Sequence, residues 1–237
     1  MKPDVIKILI QDRSRPIKVL PWIIFINFAI YLTLLIFGQW LDYLPVEFIK
    51  QHFLVSWNAV AEGRIWVLLT AMFAHVYFYH ILLNMFVLFS FGFLLERLMG
   101  PKKFLIFYLA AGIISNIIYI LTNKYMLGIT DQLALGASGA IFGALIFYCL
   151  IFPKSTLLLF FIIPFPALLG AIVFIGIEII GFIGQIYGFY VIADNVAHNT
   201  HLGGVIVGIV YYLIFSQYYK SSLKRITRPY RQIKQTS

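Results

Sequence analysis

Six apolar runs, over residues 21–37, 76–95, 104–121, 135–152, 166–185 and 201–219, account for nearly half of the chain. A run of about 20 apolar residues, wound as a helix, matches the roughly 30 Å of hydrocarbon in a bilayer. In that solvent every backbone N–H and C=O must be paired within the protein, which leaves helices or a closed barrel. Runs of this length read as spanning helices, so an all-α polytopic membrane protein is expected. Composition agrees: 62% of residues are hydrophobic, 11% are charged and the mean hydropathy is +0.92, outside the range of soluble domains. With 237 residues, a six-helix bundle leaves no room for a second soluble domain. The organisation expected is a cytoplasmic N-terminal segment (1–20), a six-span membrane domain (21–219) and a basic cytoplasmic tail (220–237).

The breaks between runs carry punctuation. The first run lacks an A-x-A pattern after it and is expected to stay as an uncleaved span. Residues 40–73 mix charge with Trp40, Trp57 and Trp66, as expected of a long loop at headgroup level. Glu96-Arg97 and Gly100-Pro101 close the second run, and Pro153-Lys154 closes the fourth. Pro164 and Pro166 divide the apolar stretch 156–192, which places 157–165 at the interface and the fifth span from Pro166. Asp194 and Asn195 then lead into the sixth. With both termini on one side, fifteen Lys and Arg fall there and three (Lys50, Arg64, Lys124) on the other. This is the positive-inside bias of a six-span protein with both termini in the cytoplasm. The net charge of +9 is thereby a topological signal and implies no nucleic-acid partner. Cys149, the single cysteine, has no disulfide partner in the chain and lies within an apolar run, as a buried small hydrophobe would.

The polar residues inside the spans are few, and such residues must face the bundle interior or a wet cavity. Ser138 stands in Gly136-Ala137-Ser138-Gly139 at the start of the fourth span, and His201 in His201-Leu202-Gly203-Gly204 at the start of the sixth. Gly139 and Gly143 form a small-residue face on one helix, and Gly204 and Gly208 lie three and seven residues after the histidine on the other. Two such faces in contact would bring hydroxyl and imidazole within hydrogen-bonding reach, at one depth near the outer leaflet. His80 and Asn84, spaced i, i+4 on the second span, share a face from which both can donate to one small anion. The pattern is that of a serine nucleophile, a histidine base and an oxyanion hole completed by the N-terminal end of the serine helix. No acid is found near the histidine's depth in spans four or six, so a dyad is expected. Glu178, the acid inside span five, is given a structural role. His198, three residues before His201, is the rival base with poorer glycine spacing, and His75 is expected to order the approach to span two.

These motifs together resemble the rhomboid family of intramembrane serine proteases, with Glu96-Arg97 and Gly208 also matching. The resemblance implies Ser138 as nucleophile, His201 as base and His80 with Asn84 as oxyanion donors. It implies transmembrane-helix protein substrates in the lipid bilayer, no cofactor and no metal. The sequence departs from the family pattern in the first loop, where Trp66-Val67 stands for a Trp-Arg pair and Arg64 is left as a possible anchor. It departs again at Phe142, where some members have tyrosine. A multi-pass protein of the prokaryotic plasma (inner) membrane is expected. Two other functions compete: a catalytically inactive rhomboid-like protein that binds membrane clients, and a metal hydrolase or transporter using His75, His80, His198 and His201, for which no H-E-x-x-H is present.

Overall fold

The computed structural model describes residues 4–12, 15–40, 43–159, 163–189 and 196–236. A short helix α1 (Asp4–Gln11) precedes α2 (Leu20–Thr33), which has a proline in its first turn and runs on as a π-helical segment, Leu34–Trp40. The first loop holds three small helices, α3 (Val46–Phe53), α4 (Trp57–Ala61) and α5 (Val67–Thr70), and a 3₁₀ turn at Ala71–Phe73. Helices α6 (Phe78–Met99) and α7 (Pro101–Thr122) follow with one residue between them, and a π-helical turn, Asn123–Leu127, extends α7. Gly100 makes that reversal, at φ +81°, a backbone region where other residues are strained, and Pro101 opens the next helix with its fixed φ. The chain then enters α8 (Ser138–Ile151), an antiparallel hairpin of β1 (Thr156–Leu159) and β2 (Ile163–Pro166), α9 (Ala167–Tyr187) and α10 (His198–Thr236).

Among the described residues, five helical stretches are long and apolar enough to cross a membrane: Leu20–Gly38, Phe78–Met99, Pro101–Leu127, Ala167–Tyr187 and His198–Ile226. The protein is an all-α polytopic membrane bundle. The structure gives three of these stretches a more definite form. The fourth run is helical over 14 residues only, about 21 Å, and α8 starts at Ser138 itself. The stretch expected at the interface pairs as the β1–β2 hairpin, because prolines at 164 and 166 bar a helix there. The sixth helix begins one turn early, at His198, and continues unbroken through most of the expected tail. The approach to it through Asp194 and Asn195 lies outside the described residues.

A short α8 is tolerated because it is the centre of the bundle, with Ala140, Ile141, Ala144, Ile146, Phe147, Cys149 and Ile151 all buried. The irregular chain before it is paired with the first loop. Val55 and Ala134 exchange both backbone bonds, Asn58 N–H donates to the Thr130 carbonyl at 3.0 Å, and Gly136 N–H donates to the Ala71 carbonyl at 2.8 Å. Non-helical backbone at membrane depth is stable only when satisfied in this way. The first loop is pinned in turn by Asn116 of α7, whose amide donates to the Leu68 carbonyl, and by the Thr70 hydroxyl on the His52 carbonyl. Arg64, left open by the sequence as an anchor, pairs with neighbouring Glu62.

Glu96, fully buried, ties α6 to the first spanning helix. Its carboxylate accepts the N–H groups of Lys18, Val19 and Leu20 at 2.7–2.8 Å, capping the otherwise orphaned start of α2. Arg97 donates to the carbonyls of Leu9 and Asp12, which docks α1. Replacing Glu96 by alanine leaves three donors unpaired at roughly 1–3 kcal/mol each. Glu96→Ala is expected to lower the thermal midpoint in detergent by more than 10 °C, and a shift within 2 °C would show that these bonds carry no net stability.

Candidate active site

Close approach of α8 and α10 places the polar groups. A Cβ on Gly204 would lie 2.1 Å from the Gly139 carbonyl oxygen, and one on Gly208 would lie 2.6 Å from that of Gly143. The two helices therefore touch backbone to backbone, which only glycine permits. The Gly139 side of α8 meets α7, where a Cβ would fall 2.6 Å from Ser115 Cβ. The start of α10 is fixed by Asn199, whose amide donates to Thr122 Oγ1 at 2.8 Å and to Asn123 Oδ1 at 2.7 Å.

At this seam His201 Nε2 lies 2.8 Å from Ser138 Oγ. Phe142, one helical turn beyond the serine, stacks on the imidazole with centroids 4.3 Å apart and planes 14° from parallel. The ring plane is thus set by packing, with no hydroxyl at position 142 required. Ser138 is the first residue of α8, and no side chain caps that helix. Its first-turn N–H groups and the positive end of the helix dipole lie beside the hydroxyl.

His80 and Ser138 border the same small space. A Cβ on Gly136 would be 3.0 Å from His80 Cε1, 3.1 Å from His80 Nε2 and 4.0 Å from Ser138 Oγ. Gly136 has φ +121°, so a side chain there is strained as well as obstructive. The purified Gly136→Ala protein is expected to fold but to lose at least tenfold in any reaction at Ser138; unchanged turnover would mean that this space is not used. Asn84 is only partly placed as the sequence suggests. It lies one turn below His80, but its amide donates to the His80 carbonyl at 2.9 Å and must rotate before it serves an anion. The amide satisfies the nearest carbonyl of its own helix, as Asn side chains commonly do.

His75 sits outside the spanning helices, buried, with its ring edge-on to His80 at 4.9 Å. Burial, reinforced by His80, pushes its pKa down to about 3. The folded protein keeps His75 neutral where the unfolded chain, with a pKa near 6.5, takes up a proton. Stability is therefore flat above about pH 6.5 and falls as the pH drops below it. Thermal melts at pH 7.5 and 5.0 are expected to show this loss, and His75→Gln to reduce it; an equal loss in both proteins would assign it elsewhere.

One acid reaches the site, against the expected dyad. Glu178 of α9 is buried, and its Oε2 lies 2.6 Å from His198 Nδ1 and 3.0 Å from His201 Nδ1. The contact with His198 is a well-aligned hydrogen bond, whereas His201 Nδ1 is close but off-line, and no aligned bond to it is formed. Spacing along the chain gave no sign of this, because the acid belongs to a helix other than those carrying Ser138 and His201. An acid inside an apolar span, facing a histidine helix, was the one available signal. His198 faces Glu178 and Gly181 of α9, where a Cβ on the glycine would meet its ring at 2.4 Å. The four histidines named as metal ligands do not converge: among the described residues no three His, Cys, Asp or Glu side chains form a group able to hold a metal ion.

An apolar helix bundle with a hydroxyl bonded to an imidazole defines a class: a multi-pass membrane protein with a half-buried serine–histidine pair. A model of the rhomboid domain matches residues 62–218, more than half of the chain, and the protein belongs to the rhomboid family. It is similar to RHOMBOID-like protein 12, mitochondrial, of Arabidopsis thaliana, with 30% identity over 69% of this chain and 50% of that protein. It resembles Rhomboid protease GluP of Bacillus subtilis (strain 168) at 33% identity, over 64% of this chain and 26% of the relative. The human Presenilin-associated rhomboid-like protein, mitochondrial, is 32% identical over 61% of this chain and 36% of its own length. The chain thus spans half or less of these relatives. Their names point to mitochondria as well as to a bacterium, so the expected prokaryotic plasma membrane reduces to the general statement of a multi-pass integral membrane protein.

Proposed function

We propose that the protein is an intramembrane serine endopeptidase that cleaves single-pass membrane proteins in or near their transmembrane helix. The observation that carries this is the 2.8 Å contact between Ser138 Oγ and His201 Nε2 at the recessed start of α8. His201 takes the hydroxyl proton as Ser138 attacks the scissile carbonyl, and returns it to the leaving amine. The acyl-enzyme ester is then hydrolysed by water activated by the same imidazole. The oxyanion formed in each step is met by the first N–H groups of α8, by His80 and by a rotated Asn84, each donor contributing about 3 kcal/mol in serine hydrolases.

The spans are taken to be six, with α8 as the fourth and both termini in the cytoplasm, in keeping with the bias of basic residues. This puts the active site below the outer surface. A peptide bond inside a helix is shielded by its own hydrogen bonds, so substrates carrying small or helix-weakening residues at that depth are favoured. The test is incubation of purified protein with a single-pass type I membrane protein in proteoliposomes. Cleavage by the native protein and none by Ser138→Ala is expected. A native protein that binds such a substrate without cutting it would instead identify a client-binding member of the family.

A further inference from the structure

We propose that Glu178 is the positioning residue for His201, and that His198 shares and so moderates it. The proposal rests on the protease reading above. A single carboxylate oxygen, Oε2, faces both Nδ1 atoms, at 2.6 Å from His198 and 3.0 Å from His201. The side chains of all three residues are nearly enclosed, at 8%, 7% and 13% exposure for Glu178, His198 and His201. A carboxylate so buried is stable only with N–H donors around it, and an ionised carboxylate accepts but never donates. Both Nδ1 atoms therefore carry a proton. For His201 this has a chemical consequence: in the neutral ring the remaining nitrogen, Nε2, is bare, and Nε2 is the atom that faces Ser138 Oγ. Glu178 thus selects the tautomer able to accept the serine proton, and its negative charge stabilises the imidazolium formed when that proton arrives.

Phe142 sets the tilt of the His201 ring by stacking; Glu178 sets which nitrogen is protonated. The two constraints come from different helices, α8 and α9. Because the aligned bond goes to His198, the carboxylate is held slightly away from His201 in this state. His198 is thus a competitor for the acid and not a second base, since its Nδ1 is engaged by Glu178 and its ring is wedged against Gly181.

The proteoliposome assay is run with native protein, Ser138→Ala, Glu178→Gln, Glu178→Asp and His198→Asn, each normalised to folded monomer. Glu178→Gln keeps the shape and loses the charge, and is expected to lower kcat on the order of 10- to 100-fold with KM within twofold. A residue that only supports the fold would lower the yield of folded protein, or move KM, and leave kcat per folded molecule intact. Should the glutamine protein fail to fold, Glu178→Asp, which withdraws the charge by one methylene, is expected to give the same split. His198→Asn frees the carboxylate for His201 and is expected to retain kcat within threefold or exceed the native value. Unchanged kcat in both Glu178 variants overturns the proposal, as does a His198→Asn protein as inactive as Ser138→Ala. Cleavage by Ser138→Ala would instead overturn the protease reading itself, so the two failures are distinguishable.

Discussion

His201→Ala and Ser138→Ala are each expected to reduce cleavage by roughly 10³- to 10⁶-fold, and the double variant to be no worse than either single one. The effect is large because the serine hydroxyl is a poor nucleophile at neutral pH and is activated only by transfer of its proton within the attack step. With the imidazole gone, the alkoxide must form unaided in an apolar surrounding, where a bare charge costs far more than in water. With the hydroxyl gone, the base has nothing to activate. Two groups that act as one unit are grossly non-additive, and that non-additivity is the signature to look for. Quantified substrate cleavage by the three variants checks it. Additive losses would mean that the two residues act independently despite their 2.8 Å contact.

Gly204→Val is expected to give little or no folded protein. Even the first carbon of the new side chain would stand 2.1 Å from a backbone oxygen of α8 and 3.0 Å from the Gly143 nitrogen. Backbone cannot turn aside as a flexible side chain can, so α8 and α10 must part by roughly 1 Å or more to restore van der Waals distance. That separation strips packing from the whole α8–α10 seam, which in a bilayer is the main source of association between helices. It also pulls His201 from Ser138. Yield of monodisperse protein and its thermal midpoint report the first effect. A Gly204→Val protein with native yield and native turnover would show that the seam is looser than described. Gly176 offers the control, since nothing lies within 4 Å of the Cβ that alanine would add there.

Much of this arrangement is legible in the sequence, for definable reasons. Hydrophobic length fixes spanning helices almost independently of tertiary context, and basic residues at the breaks order them. Glycines at i, i+4 spacing name the faces that touch, because no other residue lets two backbones meet. From those two rules alone Ser138 and His201 are placed together. What the rules miss depends on contacts between distant helices. The late start of α8 follows from backbone pairing of residues 130–136 with the first loop, which no local pattern announces. The contact of Glu178 with two histidines depends on how α9 is rotated, and an apolar helix with scattered glycines has no polar face from which to read that rotation. The bond from the Asn84 amide to the His80 carbonyl follows from the preference of Asn for nearby backbone, which a shared-face argument does not capture. Glu96 was legible as a span-closing acid, but its capping of α2 needed three dimensions.

The central claim is that a hydroxyl and an imidazole, brought together by two glycine faces, form one nucleophilic unit inside the membrane. The most direct measurement is labelling of the purified native protein with a fluorophosphonate probe, followed by mass spectrometry of the modified peptide and repetition with His201→Ala. A single adduct on Ser138, lost when His201 is replaced, is the result expected. No adduct on folded native protein, or an adduct that forms equally fast without the imidazole, would contradict it.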